Sequence, residues 1–315
     1  MIPSLAFVFP GQGAQSLGML AELAAIHPQV RESFEEASQG CGVDLWTLSQ
    51  EGPEQQLNQT EFTQPALLAA SIAVWRAWVA NGGAQPGLFA GHSLGEYAAL
   101  VAAGSLTLAD GARLVRLRGN LMQDAVPAGS GAMAAVLGAE DALVAEVCAQ
   151  VSDNEVVVPA NYNSPGQIVI GGHAAALDRA VAELAARGVR KVVKLAVSVP
   201  SHTPLMRAAA EPFAEVMAKL SWRMPDRPVL PNADIRVSHS VETIRDALVR
   251  QLYLPVRWSE CVQLLAAHGT THVFECGPGK VLTGLVKRID KSLDARAIGA
   301  PADFDAALAQ VGAAA

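Results

Sequence analysis

Apolar and polar positions recur in two rhythms along the chain, and their order predicts an α/β protein. Ser4 to Phe9 (SLAFVF) is a short apolar run stopped by Pro10, as expected of a parallel strand buried on both faces, and the turn Pro10-Gly11-Gln12-Gly13 follows it. Helical spacing continues to about Glu36 and returns from Thr63 to Ala80, with Pro65 near a helix start and Asn81-Gly82-Gly83 at its end. Gly87 to Gly91 reads as a second strand and Leu94 to Ala103 as a helix, with Gly104 where a C-terminal capping glycine belongs. Strand, sharp turn and helix in that order make an α/β unit.

From Gly131 the rhythm changes. Residues 131–138 (GAMAAVLG) predict a strand, Glu140 to Val151 a helix, Glu155 to Ala160 and Gln167 to Gly171 two strands, Ala174 to Arg187 a helix and Lys191 to Val197 a strand. That order, βαββαβ, is the split unit of a ferredoxin-like subdomain. Helical stretches resume around 204–219, 241–251 and 256–268, and the strand His272 to Glu275 leads into Gly277-Pro278-Gly279 and another helix. The expected organisation is one α/β domain with a parallel sheet, formed by residues 1–128 and 198–315, interrupted by an inserted ferredoxin-like subdomain at 129–197. An Ala-rich end from Val311 to Ala315 is expected to fray.

Composition narrows the function classes. A chain of 315 residues, 51% hydrophobic and 17% charged, is globular with a substantial core, which excludes disordered, collagenous and coiled-coil classes. Lys and Arg number 23 against 30 Asp and Glu, and the net charge of -7 has the wrong sign for binding nucleic acid or an anionic membrane by bulk electrostatics. An anionic partner would need a local basic patch. Candidates are Arg187, Arg190, Lys191 and Lys194 beside the insertion, and Lys280, Lys287, Arg288 and Lys291 near the C-terminus. Cys41, Cys148, Cys261 and Cys276 are widely spaced, without a CxxC or a Cys/His cluster, so neither a metal site nor a disulfide framework is expected and the cytoplasm is the expected compartment. Residues 1–21 carry no charge but lack a basic start and are broken by Pro3, Pro10 and Gly11, so they read as neither signal peptide nor membrane span.

Gly91-His92-Ser93-Leu94-Gly95 fits G-x-S-x-G, the turn that lifts a serine onto a strand-to-helix corner, and its flanking strand and helix are those of an α/β-hydrolase-like core. Ser93 then lies at the N-terminal end of a helix, where the Leu94 N–H can face a developing oxyanion. The serine needs a base, and seven histidines are available. His92 adjoins Ser93, but consecutive residues at an extended turn point apart. His202, in Val199-Pro200-Ser201-His202-Thr203-Pro204, follows the last strand of the insertion in a loop stiffened by two prolines. On spacing alone both stay open. Arg118 falls near the centre of the apolar arc of a helix over Gly111 to Met122, where it must meet an anion: a buried Asp or Glu of this chain, or a substrate carboxylate held by its planar fork.

Taken together, Gly11-Gln12-Gly13-Ala14-Gln15, Gly91 to Tyr97 (GHSLGEY), Arg118, Asn161 to Gln167 (NYNSPGQ), Val199-Pro200-Ser201-His202 and Gly277 to Leu282 (GPGKVL) resemble the malonyl-CoA:acyl carrier protein transacylases of bacterial type II fatty acid synthesis, over residues 5 to about 290. The resemblance implies Ser93 as nucleophile, His202 as its base, backbone N–H groups of Gln12 and Leu94 as the oxyanion hole and Arg118 as the holder of the malonyl carboxylate. It also implies that the backbone carbonyl of Gln251 orients the histidine in place of an Asp. The substrates implied are malonyl-CoA and acyl carrier protein, transfer is ping-pong, no metal or cofactor is implied, and a monomer is the default. Two departures are Thr203-Pro204 after His202, where a Cys-Ala pair stands in relatives, and Pro231-Asn232-Ala233-Asp234 in place of an Asn-rich stretch. Neither is expected to touch these roles. Two rival classes remain: a serine hydrolase, which would use the same nucleophile and oxyanion hole but against which Arg118 argues, since a fixed cation disfavours neutral acyl chains, and a non-catalytic carrier-binding module, against which the joint presence of Ser93, His202 and Arg118 weighs.

Overall fold

The computed structural model describes residues 1–197 and 199–312. Two sheets organise it. The strands are β1 (Ile2–Phe9), β2 (Pro86–Gly91), β3 (Gly131–Leu137), β4 (Val157–Ser164), β5 (Gln167–His173), β6 (Lys191–Lys194), β7 (Val229–Leu230), β8 (His272–Glu275) and β9 (Asp294–Ala297). The larger sheet has the order β7-β2-β1-β8-β9 and every pairing in it is parallel. β1 is central, and its residues Leu5 to Phe9 are wholly buried because both faces are covered. Leu5, Phe7 and Phe9 enter one core with Trp75, Trp78 and Phe274, where the Phe7 ring meets these three edge-on at 5.1, 5.3 and 5.7 Å. Ala6 and Val8 point into a second core around Trp258 and Val262.

The smaller sheet is antiparallel with the order β4-β5-β3-β6, which is the strand order of a split βαβ pair. One face packs on the helices Asp141–Val151 and Ala174–Ala186 through Val136, Ile168, Ile170, Val147 and Leu177. Met133, Ala160 and Val169 form a separate small apolar cluster of the same sheet. The architecture is an α/β-hydrolase-like parallel-sheet core with a ferredoxin-like insertion. The two are stitched at β4, where Tyr162 N–H donates to Val256 O at 2.8 Å and Val256 N–H donates to Ala160 O at 2.9 Å.

Several elements differ from the sequence reading. The first helical pattern is two helices, Ala21–Ile26 and Gln29–Cys41, separated at His27-Pro28, and the helix containing Pro65 starts earlier, at Thr60. β4 begins later than expected and runs to Ser164, so Asn161-Tyr162-Asn163 lies in a strand. β6 ends at Lys194, and Leu195 and Val197 leave the sheet to line a cavity. The 204–219 stretch is a 3-10 turn, Pro204–Ala209, followed by the helix Ala210–Met217. The edge strands β7 and β9 are too short, at two and four residues, to show a periodicity. The final helix continues to Gly312, beyond where fraying was expected to start, and residues 313–315 of that expectation lie outside the described residues, as does Ser198 at the expected insertion boundary.

Candidate active site

β2 ends at Gly91 and the helix Gly95–Ala102 begins four residues on, so the chain reverses within His92-Ser93-Leu94. This tightness excludes side chains on both flanks: a Cβ on Gly91 would lie 1.9 Å from the Gly95 carbonyl carbon, and one on Gly95 would lie 1.9 Å from Phe9 O. Ser93 itself takes φ 52°, a left-handed conformation costly for a residue with a Cβ. Its backbone is held from below, where Ser93 N–H donates to Asn232 Oδ1 at 2.6 Å, and Asn232 Nδ2 donates to Gly91 O at 2.7 Å. This corrects the expectation that the Pro231 to Asp234 departure touches no role, since the wholly buried Asn232 clamps both sides of the serine turn.

His202 is also left-handed, at φ 62°, in the loop entering the Pro204 turn. Its N–H donates to Leu252 O at 3.0 Å and its Nδ1 lies 2.7 Å from Gln251 O. A carbonyl can only accept, so Nδ1 carries the proton and Nε2 is left as an acceptor. Nε2 stands 2.7 Å from Ser93 Oγ. Burial, then the charge of Arg118, push the imidazole down to about 3 despite the opposing Gln251 carbonyl, so the ring is a neutral base across the physiological range. His92 instead points to the insertion, its Nε2 2.8 Å from Asn163 Oδ1.

Arg118 is 2% exposed on the helix Leu108–Asp124, whose Leu114, Val115 and Met122 share its burial while Arg113 is exposed. Its Nη1 donates to Gln64 Oε1 at 2.9 Å, and its Nη2 donates to Gln251 Oε1 at 3.0 Å and lies 3.4 Å from Ser93 Oγ. Among the described residues no ion pair within 4 Å involves this guanidinium, and the Tyr97 ring centroid lies 5.4 Å from its Cζ. Its acceptors are amides and a hydroxyl. The arrangement therefore lacks the internal Asp or Glu partner that a purely structural arginine calls for.

A cavity of about 170 Å³ opens over Ser93, with Gln12, Leu94 and Arg118 on its wall and Met133, Val169, Leu195 and Val197 of the insertion opposite. Neither the Gln12 nor the Leu94 backbone N–H makes a hydrogen bond among the described residues. The arrangement brings a serine hydroxyl, a neutral imidazole hydrogen-bonded to a carbonyl, two backbone N–H groups and a buried cation to one cavity of mixed polar and apolar lining, a set that could support acyl transfer of a carboxylate-bearing group. Among the described residues no cluster of His, Cys, Asp and Glu could hold a metal ion, and no helix is long and apolar enough to cross a membrane.

Sequence reasoning missed Gln64, Asn163, Asn232 and Glu96. Glu96 carried a signal, being the lone charged residue between Gly87 and Ala109. It is buried, and burial raises its carboxyl to about 7 against the lowering effect of Asn232, Gln251 and Arg118.

Comparison with known proteins gives one consistent picture. The family model described as an acyl transferase domain matches residues 6–302. The malonyl CoA-acyl carrier protein transacylase of Salmonella typhimurium is 53% identical over 305 residues, covering 97% of this chain and 99% of that protein. The crystal structure of malonyl-CoA:acyl carrier protein transacylase from Xanthomonas oryzae is 68% identical with a TM-score of 0.98, covering 98% of this chain and 99% of that one. A malonyl-transacylase in complex with its type II polyketide acyl-carrier protein is 50% identical with a TM-score of 0.96, covering 98% and 99%.

Proposed function

We propose that this chain, which belongs to the acyl transferase family, is a malonyl-CoA:acyl carrier protein S-malonyltransferase of fatty acid synthesis that works in two half-reactions joined by a malonyl ester on Ser93. In the first, Ser93 Oγ attacks the thioester carbonyl as its proton passes to His202 Nε2. The oxyanion faces the N–H groups of Gln12 and Leu94, and collapse expels coenzyme A, whose thiol takes the proton from His202. In the second, the pantetheine thiol of the carrier gives its proton to His202 and attacks the ester, and Ser93 recovers the proton on leaving. Serine, histidine and two thiols account for every proton and electron pair, so the scheme calls on no metal or redox cofactor.

Arg118 supplies the selectivity in this reading, because its Nη2 lies 3.4 Å from the oxygen that carries the acyl group. The malonyl carboxylate hangs one methylene beyond the ester carbonyl, within reach of that fork. Four buried, unbridged thiols support a reducing compartment, the cytoplasm. The observation that carries the mechanism is the line from Gln251 O through His202 to Ser93 Oγ, with both hydrogen bonds at 2.7 Å. Intact-protein mass after brief exposure to malonyl-CoA tests it. A malonyl adduct on the native chain, absent from Ser93→Ala, is expected. An adduct that persists in Ser93→Ala would refute the assignment, and rapid free malonate without carrier would make the protein a hydrolase.

A further inference from the structure

We propose that Glu96 is a specificity-determining residue: its buried carboxyl, joined to the Arg118 guanidinium through the side-chain amide of Gln251, sets how strongly that fork holds a donor's carboxylate. Glu96 Oε2 accepts from Gln251 Nε2 at 2.7 Å and from Asn232 N–H at 2.9 Å. The same Gln251 amide turns its oxygen to Arg118 Nη2 at 3.0 Å and shares its nitrogen with Ser93 O at 3.0 Å. Glu96 thus fixes which way the amide faces, and it lies one amide behind the cation rather than against it. A carboxylate in direct contact with Arg118 would occupy the fork, whereas one set back weakens its field and leaves its N–H groups available.

Such moderation has a chemical use. The carboxylate is carried unchanged through thioester, ester and product, so holding it more tightly lowers every bound state together and speeds neither transfer. The charged or titratable groups around Glu96 are Tyr97 on its own helix, Arg118 on the helix Leu108–Asp124, Asp234 after β7 and Cys261 on the helix Trp258–Ala267. Burial drives Tyr97 and Cys261 upward and keeps them neutral, and Arg250 holds Asp234 low as its ion-pair partner. His202 is pushed far below neutrality. Glu96, raised to about 7 by burial, is the one of these groups that changes charge near neutral pH.

Below about 7 Glu96 is neutral and the fork acts on a donor carboxylate unopposed; above it, the added negative charge weakens that hold. The inference rests on Arg118 as the carboxylate holder. The experiment measures kcat/KM for malonyl-CoA and acetyl-CoA against pH in the native chain and in Glu96→Gln, which keeps the shape and an acceptor oxygen but not the charge. The ratio cancels the ionisation of coenzyme A itself. In the native chain the malonyl-to-acetyl ratio is expected to fall as pH rises through 7. In Glu96→Gln it should be flat and, at high pH, about tenfold above native, the order expected for one charge acting from behind the Gln251 amide in an effective dielectric of about 20. A malonyl-to-acetyl ratio that Glu96→Gln leaves equal to the native one at every pH overturns the proposal, as does a pH dependence that persists in Glu96→Gln. Arg118→Ala separates the two readings, because if it leaves the ratio unchanged the carboxylate fork itself is wrong, whereas if it collapses the ratio while Glu96→Gln does not move it, only the role of Glu96 falls.

Discussion

Replacing Arg118 by Ala is the most direct challenge to the proposed selectivity. In the native chain two of its N–H groups are engaged by Gln64 and Gln251, and the guanidinium has no carboxylate within 4 Å among the described residues. A malonyl carboxylate placed there gains charge-assisted hydrogen bonds in a site where Arg118 is 2% exposed. Removing one member of such a buried pair costs about 3 to 5 kcal/mol, because the remaining charge stays desolvated. At 1.36 kcal/mol per decade that is about two to nearly four orders of magnitude in kcat/KM for malonyl-CoA. The variant also leaves Gln64 Oε1 and Gln251 Oε1 without their donor, at roughly 1 kcal/mol each, but that penalty falls on every donor and cancels in a ratio. Acetyl-CoA brings no charge and should lose only this shared part. Transfer assays with both donors on folded Arg118→Ala, with thermal unfolding alongside, read the difference. Arg118→Lys should recover part of it, since a point charge cannot reproduce the planar fork. A malonyl-to-acetyl ratio equal to the native one, with both donors depressed in proportion, would refute the carboxylate assignment.

Asn232→Ala should act in the opposite pattern: Ser93 N–H and Gly91 O lose their partner under a left-handed serine, so both donors slow by the same factor and thermal stability drops by about 1 to 3 kcal/mol. A changed donor ratio in that variant would move Asn232 from the turn to the acyl pocket. For carrier docking, the two basic clusters differ in how many cations are already engaged. In the first, Arg187 is tied to Glu146 and Glu183 and Lys194 to Asp178, leaving exposed Arg190 and Lys191 with no ion pair among the described residues; in the second, Arg288 bonds Gln167, and Lys280, Lys287 and Lys291 are exposed and form no ion pair among the described residues. Reversing Lys280 and Lys287 to Glu should raise the apparent KM for an acidic carrier several-fold at low salt, more than reversing Arg187 and Lys194, without altering acylation by malonyl-CoA. Equal effects, or an equal loss with a small thiol acceptor, would count against docking there.

How legible each part was depends on how local its cause is. β1 was readable because a strand buried on both faces needs consecutive apolar residues, and the insertion because its alternation of strands and helices differs from its surroundings. The serine turn was readable because the steric exclusion at Gly91 acts within five residues, against Gly95 and Glu96, although the exclusion at Gly95 comes from the distant Phe9. β7 and β9 left no mark, since pairing at a sheet edge is decided by the strand already there. Asn232 was misjudged for a related reason: its partners are about 140 residues away, and nothing in Pro231-Asn232-Ala233 distinguishes a clamp from a loop. Glu96 could have been found, since a lone charge in an apolar helix must be satisfied somewhere, though its partners Gln251 and Asn232 could not.

Among the described residues no acidic third member stands beside His202, and the same electrostatics accounts for this. A carboxylate within hydrogen-bond distance of His202 Nδ1 would replace Gln251 O and stand close to Arg118, whose charge already acts on the imidazole. At such range an ion pair with the buried guanidinium would be strongly favoured, and the fork would be filled from inside the protein. A backbone carbonyl selects the same tautomer without competing for the cation, and Gln64 and Gln251 hold that cation with neutral oxygens. Gln251 makes both contacts, to the His202 imidazole through its main-chain carbonyl and to the Arg118 guanidinium through its side chain. On the proposed mechanism, base strength and carboxylate selectivity are therefore coupled through one residue, and a change that shifts Gln251 should disturb both.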